Sequence, residues 1–98
     1  SCESGTISRY ANGSLASCVL ARDTKVRISN NRVGTSIFPC KAKNYISFAE
    51  KSQFKSCKLS EDIKIRKGNS VETCAKDYTV LVSILNDGRD LSIRCSRY

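Results

Sequence analysis

Six cysteines are the residues of this 98-residue sequence whose spacing best indicates a chemistry. They are Cys2, Cys18, Cys40, Cys57, Cys74 and Cys95. Zinc sites use closely spaced cysteine pairs or histidines, and the sequence contains neither a CxxC motif nor a histidine. An even number of widely spaced cysteines in a short chain is typical of disulfides formed in an oxidising compartment. We therefore predict three disulfides and a secreted or extracellular location, with the periplasm or a cell surface as variants of it.

Two symmetric disulfide pairings are open from the spacing alone, since six cysteines allow fifteen connectivities. One pairs neighbours: Cys2–Cys18, Cys40–Cys57 and Cys74–Cys95. The other is shifted by one: Cys18–Cys40, Cys57–Cys74 and Cys2–Cys95. A predicted turn over 29–31 would bring Cys18 opposite Cys40, whereas a turn near Asn12-Gly13 would bring Cys18 opposite Ile7. The predicted strand register therefore favours the shifted set.

Lysines and arginines form the second constellation, 17 of them against nine acidic residues, for a net charge of +8. In "TKVRI" and in "DIKIRK" a lysine and an arginine flank one aliphatic residue, and strand alternation places both cations on the same face. Neighbouring cations complete the predicted binding set: Lys25, Arg27, Arg32, Lys64, Arg66 and Lys67. Such a field favours an anionic partner. We expect an acidic protein surface or a sulfated or otherwise anionic glycan, with the turns 29–32 and 86–89 contributing.

The sequence lacks the residues that most catalytic mechanisms require. Without histidine there is no Ser-His-Asp or Cys-His arrangement and no imidazole proton shuttle. Glu61 and Asp62 are adjacent carboxylates, but adjacent strand residues point to opposite faces. Asp62 also repeats Asp23, and we predict that both bond locally to the backbone of turns. The sequence predicts a protein that is not an enzyme and uses no metal or cofactor.

Aromatic content and one short motif bear on the remaining partners. Seven aromatic residues are few for a protein that stacks bases, which makes nucleic acid an unfavourable partner. An anionic membrane surface stays open as a partner because of the net charge. Asn12 begins the sequon "NGS" on a predicted turn, so it is a candidate glycosylation site.

An internal repeat organises the chain. "TISRYANGSLASCVLARDTKVRI" aligns without a gap with "YISFAEKSQFKSCKLSEDIKIRK", and "CAKDYTVLVSILNDGRDLSIRC" reads as a shorter third copy. We predict a single domain over 1–98 with units at about 2–39, 40–73 and 74–98. The paired cysteine loops are similar in outline to those of the cyanovirin-type lectins, although the Asn/Asp-Gly plus Leu segment and the closing aromatic position of that family are missing here.

The elements that position these residues are predicted to be strands. Alternation in "TKVRI" and "DIKIRK" indicates half-buried strands, and Asn86-Asp87-Gly88 indicates a hairpin turn. The segment 78–85 is apolar on both phases, which predicts either a strand covered on both sides or an aggregation-prone strand. Elsewhere in the chain, the segment 46–54 has a competing interpretation as a helix. The aromatics predicted in the core are Tyr10, Tyr45, Phe48 and Tyr78.

The predicted fold class is all-β: a small disulfide-stapled sandwich or irregular barrel built from two to three repeated hairpin units. The expected function is that of a secreted binding or interaction protein, such as an effector, an inhibitor or a surface-recognition module, with a basic face for an anionic macromolecule. The alternative is a small secreted cationic toxin or antimicrobial protein.

Overall fold

A computed structural model describes residues 1–30, 34–85 and 90–97, with only the backbone of Asn30 and Gly34. These ranges contain ten strands and no helix. The strands are β1 (Ser8–Arg9), β2 (Leu15–Val19), β3 (Thr24–Asn30), β4 (Gly34–Cys40), β5 (Tyr45–Phe48), β6 (Phe54–Lys58), β7 (Ile63–Lys67), β8 (Ser70–Cys74), β9 (Thr79–Leu85) and β10 (Asp90–Ser96). The all-β prediction is confirmed. The competing helix over 46–54 is wrong, since this segment forms β5 and the start of β6.

Six strands form one antiparallel sheet in the order β1-β2-β5-β6-β9-β10, which we call the central sheet. One row across it places Cys18, Ile46, Cys57, Val80 and Cys95 side by side. Four of these five residues are almost fully buried, so this row marks the inner face. The next row carries Ser17, Ser47 and Ser56 and lies on the opposite, outer face.

The remaining strands form two antiparallel hairpins, β3–β4 and β7–β8, which we call the hairpin layer. Leu91, on the inner face of β10, borders one depression with Val26 of β3 and another with Ile65 of β7. Both hairpins therefore cover the same face of the central sheet. The buried core between the layers comprises Cys18, Leu20, Phe38, Cys40, Ile46, Phe54, Cys57, Leu59, Ile65, Cys74, Val80 and Val82. The molecule is a two-layer sandwich.

Three disulfides join neighbours along the chain: Cys2–Cys18, Cys40–Cys57 and Cys74–Cys95. Three bridges were predicted, but the favoured shifted pairing is wrong. Strand β3 continues through Ser29 into the predicted turn and places Thr24, six residues beyond Cys18, opposite Cys40. Each bridge spans 16 to 21 positions of sequence. Closing such a loop stabilises the fold by about 3 kcal/mol in the chain-entropy account.

The first bridge forms because the chain folds back before β1. Gly5 has a φ of 78° at this turn, a conformation that glycine adopts without steric cost. The turn places Cys2 beside Leu20, the residue that follows the end of β2, and the two residues form a β-bridge. The prediction that Cys18 lies opposite Ile7 rests only on the turn near Asn12-Gly13. It does not include this second reversal of the chain.

Asp23 and Asp62 close the bases of the two hairpins. Asp23 precedes β3, and its Oδ1 accepts a hydrogen bond of 2.8 Å from the N–H of Ala42, just after β4. Asp62 precedes β7, and its Oδ1 accepts one of 2.7 Å from the N–H of Lys76, just after β8. The prediction of local turn bonds is therefore wrong, because each bond crosses a whole hairpin. The equivalence of the two contacts is compatible with repeated units.

Two predictions about burial are wrong in part. Strand β9 is covered on one face only, because Val80 and Val82 are buried while Ser83 and Leu85 are exposed. Tyr45 was predicted in the core, but its alternation places it on the outer face with 64% of its surface exposed. Of the other predicted core aromatics, Phe48 and Tyr78 pack against the core. Tyr10 is half-buried and does not belong to the core, and its hydroxyl donates a hydrogen bond to the Phe48 carbonyl.

Candidate functional site

The first half of the candidate site lies on β3, where alternation separates apolar from charged side chains. Val26 and Ile28 pack toward the core, while Lys25 and Arg27 between and beside them are exposed. Because Val26 contributes to the contact with the central sheet, its flanking cations must point to solvent. The sequence pattern predicted this orientation.

The second half lies on β7 and repeats the arrangement. Ile65 is only 3% exposed and belongs to the core, and its neighbours Lys64 and Arg66 are exposed. Since both hairpins cover the same face of the central sheet, the four cations all lie on the side of the hairpin layer that faces away from the core. Ser36 of β4 borders one depression together with Lys64 and Arg66, which places the two hairpins side by side.

Exposed aliphatic side chains lie opposite the two arginines. In β3–β4 the cross-strand partner of Arg27 is Ile37, which is 48% exposed. In β7–β8 the partner of Arg66 is Val71, which is 60% exposed. Directly opposed residues of an antiparallel pair share a face and contact one another. We therefore define the basic face as Lys25, Arg27, Ile37, Lys64, Arg66 and Val71.

Sequence reasoning missed the two aliphatic members of the basic face. Ile37 stands next to Phe38 in "GTSIFPC", so both alternation phases of β4 carry an apolar residue there. Val71 follows a short turn and has no apolar neighbour at strand spacing. The only signal in the sequence was an apolar residue at the position opposite an outward arginine. That position cannot be identified before the hairpin register is known.

The charge on the basic face is largely unneutralised. Among the described residues, no ion pair forms at Lys25, Arg27 or Arg66, and the Lys64 ammonium donates to the Thr73 hydroxyl at 2.7 Å. The ion pairs that the structure does describe lie elsewhere: Lys41–Asp77, Lys43–Glu3 and Lys67–Glu72. An unpaired group of exposed cations keeps its field available for an anion.

The predicted binding set has two further members, and the structure describes one of them. Lys67 is one residue out of phase with Arg66, and its ammonium lies 3.4 Å from a carboxylate oxygen of Glu72. That pairing neutralises it. Arg32 lies outside the described residues, as do the turn 86–89 and most of the predicted turn 29–32.

Asn12, the candidate glycosylation site, is exposed in the turn between β1 and β2. Its Oδ1 accepts hydrogen bonds from the N–H and hydroxyl of Ser14, and its Nδ2 donates to the Glu50 carbonyl at 3.2 Å. The side chain thus joins its own turn to the turn between β5 and β6. Glycosylation at this asparagine stays a prediction.

Among the residues that the structure describes, Asp77 is the one with a clear pKa shift, and it lies away from the basic face. The hydrogen bond from the Lys41 ammonium holds the pKa of the Asp77 carboxyl below its ordinary value of 3.8, and the charges of Lys41, Lys76 and Lys58 act in the same direction. The pair joins the turn after β4 to the turn after β8, so it is structural in position.

The described ranges contain neither the side-chain cluster of a metal site nor a membrane-spanning helix. No group of three or more cysteine, aspartate or glutamate side chains converges there in a way that could hold a metal ion. Within the same ranges, no helix has the length and apolar character needed to cross a membrane.

Comparison with known proteins assigns no relative. No protein family, no curated protein and no solved structure matches the chain. The assignment of the basic face as the candidate site therefore depends on its geometry.

Proposed function

We propose that this protein is a secreted binding module that docks on an acidic protein surface through its basic face. The observation that carries the proposal is the repeated cross-strand pair of an exposed arginine and an exposed aliphatic residue, Arg27 with Ile37 and Arg66 with Val71. Three disulfides in a domain of this size are compatible with an extracellular location.

The aliphatic residues favour a protein as the partner over a sulfated glycan. Protein interfaces combine an apolar centre with a polar rim, and arginine is enriched in them. Burying Ile37 and Val71 needs an apolar surface on the partner, whereas a sulfated glycan supplies anionic groups and little apolar area. Ile37 and Val71 are two of the exposed large hydrophobic residues of the described chain, and both lie on the basic face.

The strand scaffold holds the face in a fixed geometry. Ile65 and Val26 pack into or against the core, and Asp23 and Asp62 close the hairpin bases. The cations therefore project from backbone that changes little on docking, which lowers the conformational entropy lost on binding. Substitutions on the outward positions are expected to leave the fold intact.

The test compares two variants with the same change of charge. The face variant carries Lys25→Ser, Arg27→Ser, Lys64→Ser and Arg66→Ser. The control carries Arg22→Ser, Lys51→Ser, Lys55→Ser and Lys76→Ser, which are exposed cations outside the basic face. Each variant lowers the net charge from +8 to +4 because four cations are removed.

The probe is an immobilised copolymer of glutamate and tyrosine, which presents carboxylates beside apolar rings. An exposed ion pair contributes about 0.2–1 kcal/mol, so the face variant, which lacks four cations, should bind about fourfold or more weakly than the wild type. The control should lose much less. Equal losses in both variants would show a response to net charge alone and would contradict a defined basic face.

Three further probes separate the kinds of partner. Replacing Ile37 and Val71 with serine should weaken binding to the glutamate–tyrosine copolymer and leave binding to polyglutamate and to heparin unchanged. Heparin bound more tightly than the copolymer would instead indicate a sulfated glycan. Dye release from anionic vesicles would indicate the cationic toxin or antimicrobial function, since a docking module does not open membranes.

A further inference from the structure

Two junctions inside the central sheet have the same construction. The sheet contains three local hairpins, β1–β2, β5–β6 and β9–β10, and each junction pairs the second strand of one with the first strand of the next. In the first junction Cys18 lies opposite Ile46, and in the second Cys57 lies opposite Val80. Ile46 and Val80 are 3% and 0% exposed. A cysteine-bearing strand thus covers an aliphatic residue at each junction.

The residue just before the first strand of the sheet is an uncovered version of the same residue. Ile7 aligns with Ile46 in the gapless repeat alignment, yet it is 48% exposed. No cysteine-bearing strand precedes β1 in the described part of the chain, and β1 itself is only two residues long where β5 has four. Ile7 therefore occupies the position that a cysteine-bearing strand covers at the two junctions, but among the described residues no such strand covers it.

The last strand of the sheet carries the equivalent cysteine. Strand β10 bears Cys95 at the position that Cys18 and Cys57 occupy in β2 and β6. Within the residues described, residues 91–95 of β10 pair with β9 alone, so the backbone hydrogen-bonding groups on the other edge of this stretch face no strand. Such an edge is a template for a further strand.

The turns before each first strand support the same equivalence. Gly5, Lys43 and Asp77 each stand three residues after the first cysteine of a unit, and all three have positive φ. The Lys43 N–H donates to the Leu20 carbonyl at 2.8 Å, and the Asp77 N–H donates to the Leu59 carbonyl at 3.0 Å. Both acceptors belong to the preceding unit. In the described chain the Gly5 N–H makes no such bond.

We propose that a second copy of this chain supplies the missing strand, with β10 of one molecule pairing antiparallel to β1 of the next. The register of the internal junctions then places Cys95 opposite Ile7 and Arg94 opposite Ser8 of the other copy. The Gly5 N–H of that copy faces the carbonyl of Arg97, which stands where Leu20 and Leu59 stand in the other units. The contact is head-to-tail, so copies add at both ends.

Salt dependence separates this self-association from the proposed polyanion binding. Two copies that each carry +8 repel one another, so added salt should strengthen head-to-tail pairing. Binding of the basic face to an anion should weaken under the same change. The basic face also lies on the hairpin layer, whereas the paired edges belong to the central sheet.

The experiment is sedimentation velocity of the wild-type protein in a concentration series up to the millimolar range, in low and high salt. Species larger than the monomer should increase with concentration and with salt. A monomer throughout would overturn the proposal. As a second readout, the amides of residues 6–9 should become protected from hydrogen exchange as the concentration rises.

Two exposed residues test the register. Ser8→Arg places an arginine opposite Arg94 and should weaken self-association about two- to fivefold, since like charges directly opposite destabilise a strand pair. Mixing Ser8→Arg with Arg94→Glu should restore association between the two variants. If Ser8→Arg associates as the wild type does, β1 is not the partner, and pairing of β10 with β10 would be the alternative. Ser8→Lys serves as a second variant if the arginine perturbs folding.

Discussion

The two hairpins of the hairpin layer present the same outer pattern, a lysine, an arginine and an aliphatic residue opposite the arginine, but they pack on the core differently. In β3–β4, Val26 lies opposite Phe38, which is 2% exposed and whose ring centroid is 5.3 Å from that of Phe54. In β7–β8, Ile65 lies opposite Glu72, which is exposed and paired with Lys67. Glu72 thus occupies the position that corresponds to Phe38. Packing differs between the hairpins, whereas the arginine–aliphatic pairs on the outside are the same.

This difference shows that the residues that attach a hairpin to the core can change while the pattern of residues on its outer side stays the same. A hairpin in this layer can be held by its second strand, as through Phe38, or by its first strand, as through Ile65. Neither solution requires a lysine and an arginine on the outer side with an aliphatic residue facing the arginine. The outer pattern recurs where the inner pattern changes, which supports a role for it in binding.

The largest expected effect comes from the two equivalent positions themselves. Phe38→Ala should lower the free energy of unfolding by about 3–5 kcal/mol, because it removes a buried aromatic ring and leaves a cavity. Glu72→Ala should change it by less than about 0.5 kcal/mol, because the residue is exposed and its ion pair is on the surface. Urea denaturation of the oxidised proteins measures both. Similar losses would contradict the difference in how the hairpins are held.

The hairpin-closing aspartates are expected to have the next largest effect, and an unequal one. Asp23→Ala and Asp62→Ala each remove one hydrogen bond to a backbone N–H and should cost about 0.5–1.5 kcal/mol. Since β7–β8 has fewer buried residues, Asp62→Ala should speed amide exchange in β7–β8 more than Asp23→Ala does in β3–β4. Asp23→Asn and Asp62→Asn keep an acceptor oxygen and serve as controls. Equal acceleration in both hairpins would contradict the comparison.

The smallest effect is expected at Asp77, which pairs with Lys41 and joins the turns that follow the two hairpins. Because its pKa is lowered in the folded state, the carboxylate stabilises the fold above its ordinary value of 3.8. That contribution is lost as the pH falls through the lowered folded-state pKa. Asp77→Asn keeps a side chain that tolerates positive φ and removes the charge. The melting temperatures of wild type and variant should differ slightly at pH 7 and converge in strong acid.

A difference that persisted in strong acid would show that the Asp77 charge is not the cause. Asp90 is a less suitable control because it lies in β10. The matched change of charge is therefore Glu61→Gln, at an exposed carboxylate before β7. It should leave the pH dependence of stability unaltered.

The strand pattern of the sequence was sufficient for the fold class and for the orientation of the cations. Alternation around Val26 and Ile65 needs only the two-residue period of a strand, which is a local property. The antiparallel pairing of β9 with β10 could also be predicted, from the apolar run over 78–85 and the turn residues in the sequence after it.

Disulfide pairing and the aliphatic part of the basic face required long-range geometry. The pairing depends on where β3 ends and on the chain reversal at Gly5, and a shift of a few residues changes which cysteine has a neighbour. Ile37 and Val71 are ordinary apolar residues until the register places them opposite Arg27 and Arg66. Tyr45 was misplaced for a similar reason, because the outer face of the central sheet has no covering layer in the described chain.

The basic face is tested most directly by mapping where an acidic ligand contacts the folded protein. Backbone amide chemical shifts of the isotope-labelled protein would be followed during titration with a short soluble glutamate–tyrosine peptide. We expect the largest shifts in β3, β4, β7 and β8, at Arg27, Ile37, Arg66 and Val71 and their neighbours. Shifts centred on the outer face of the central sheet, around Ser17, Ser47 and Ser56, would contradict it.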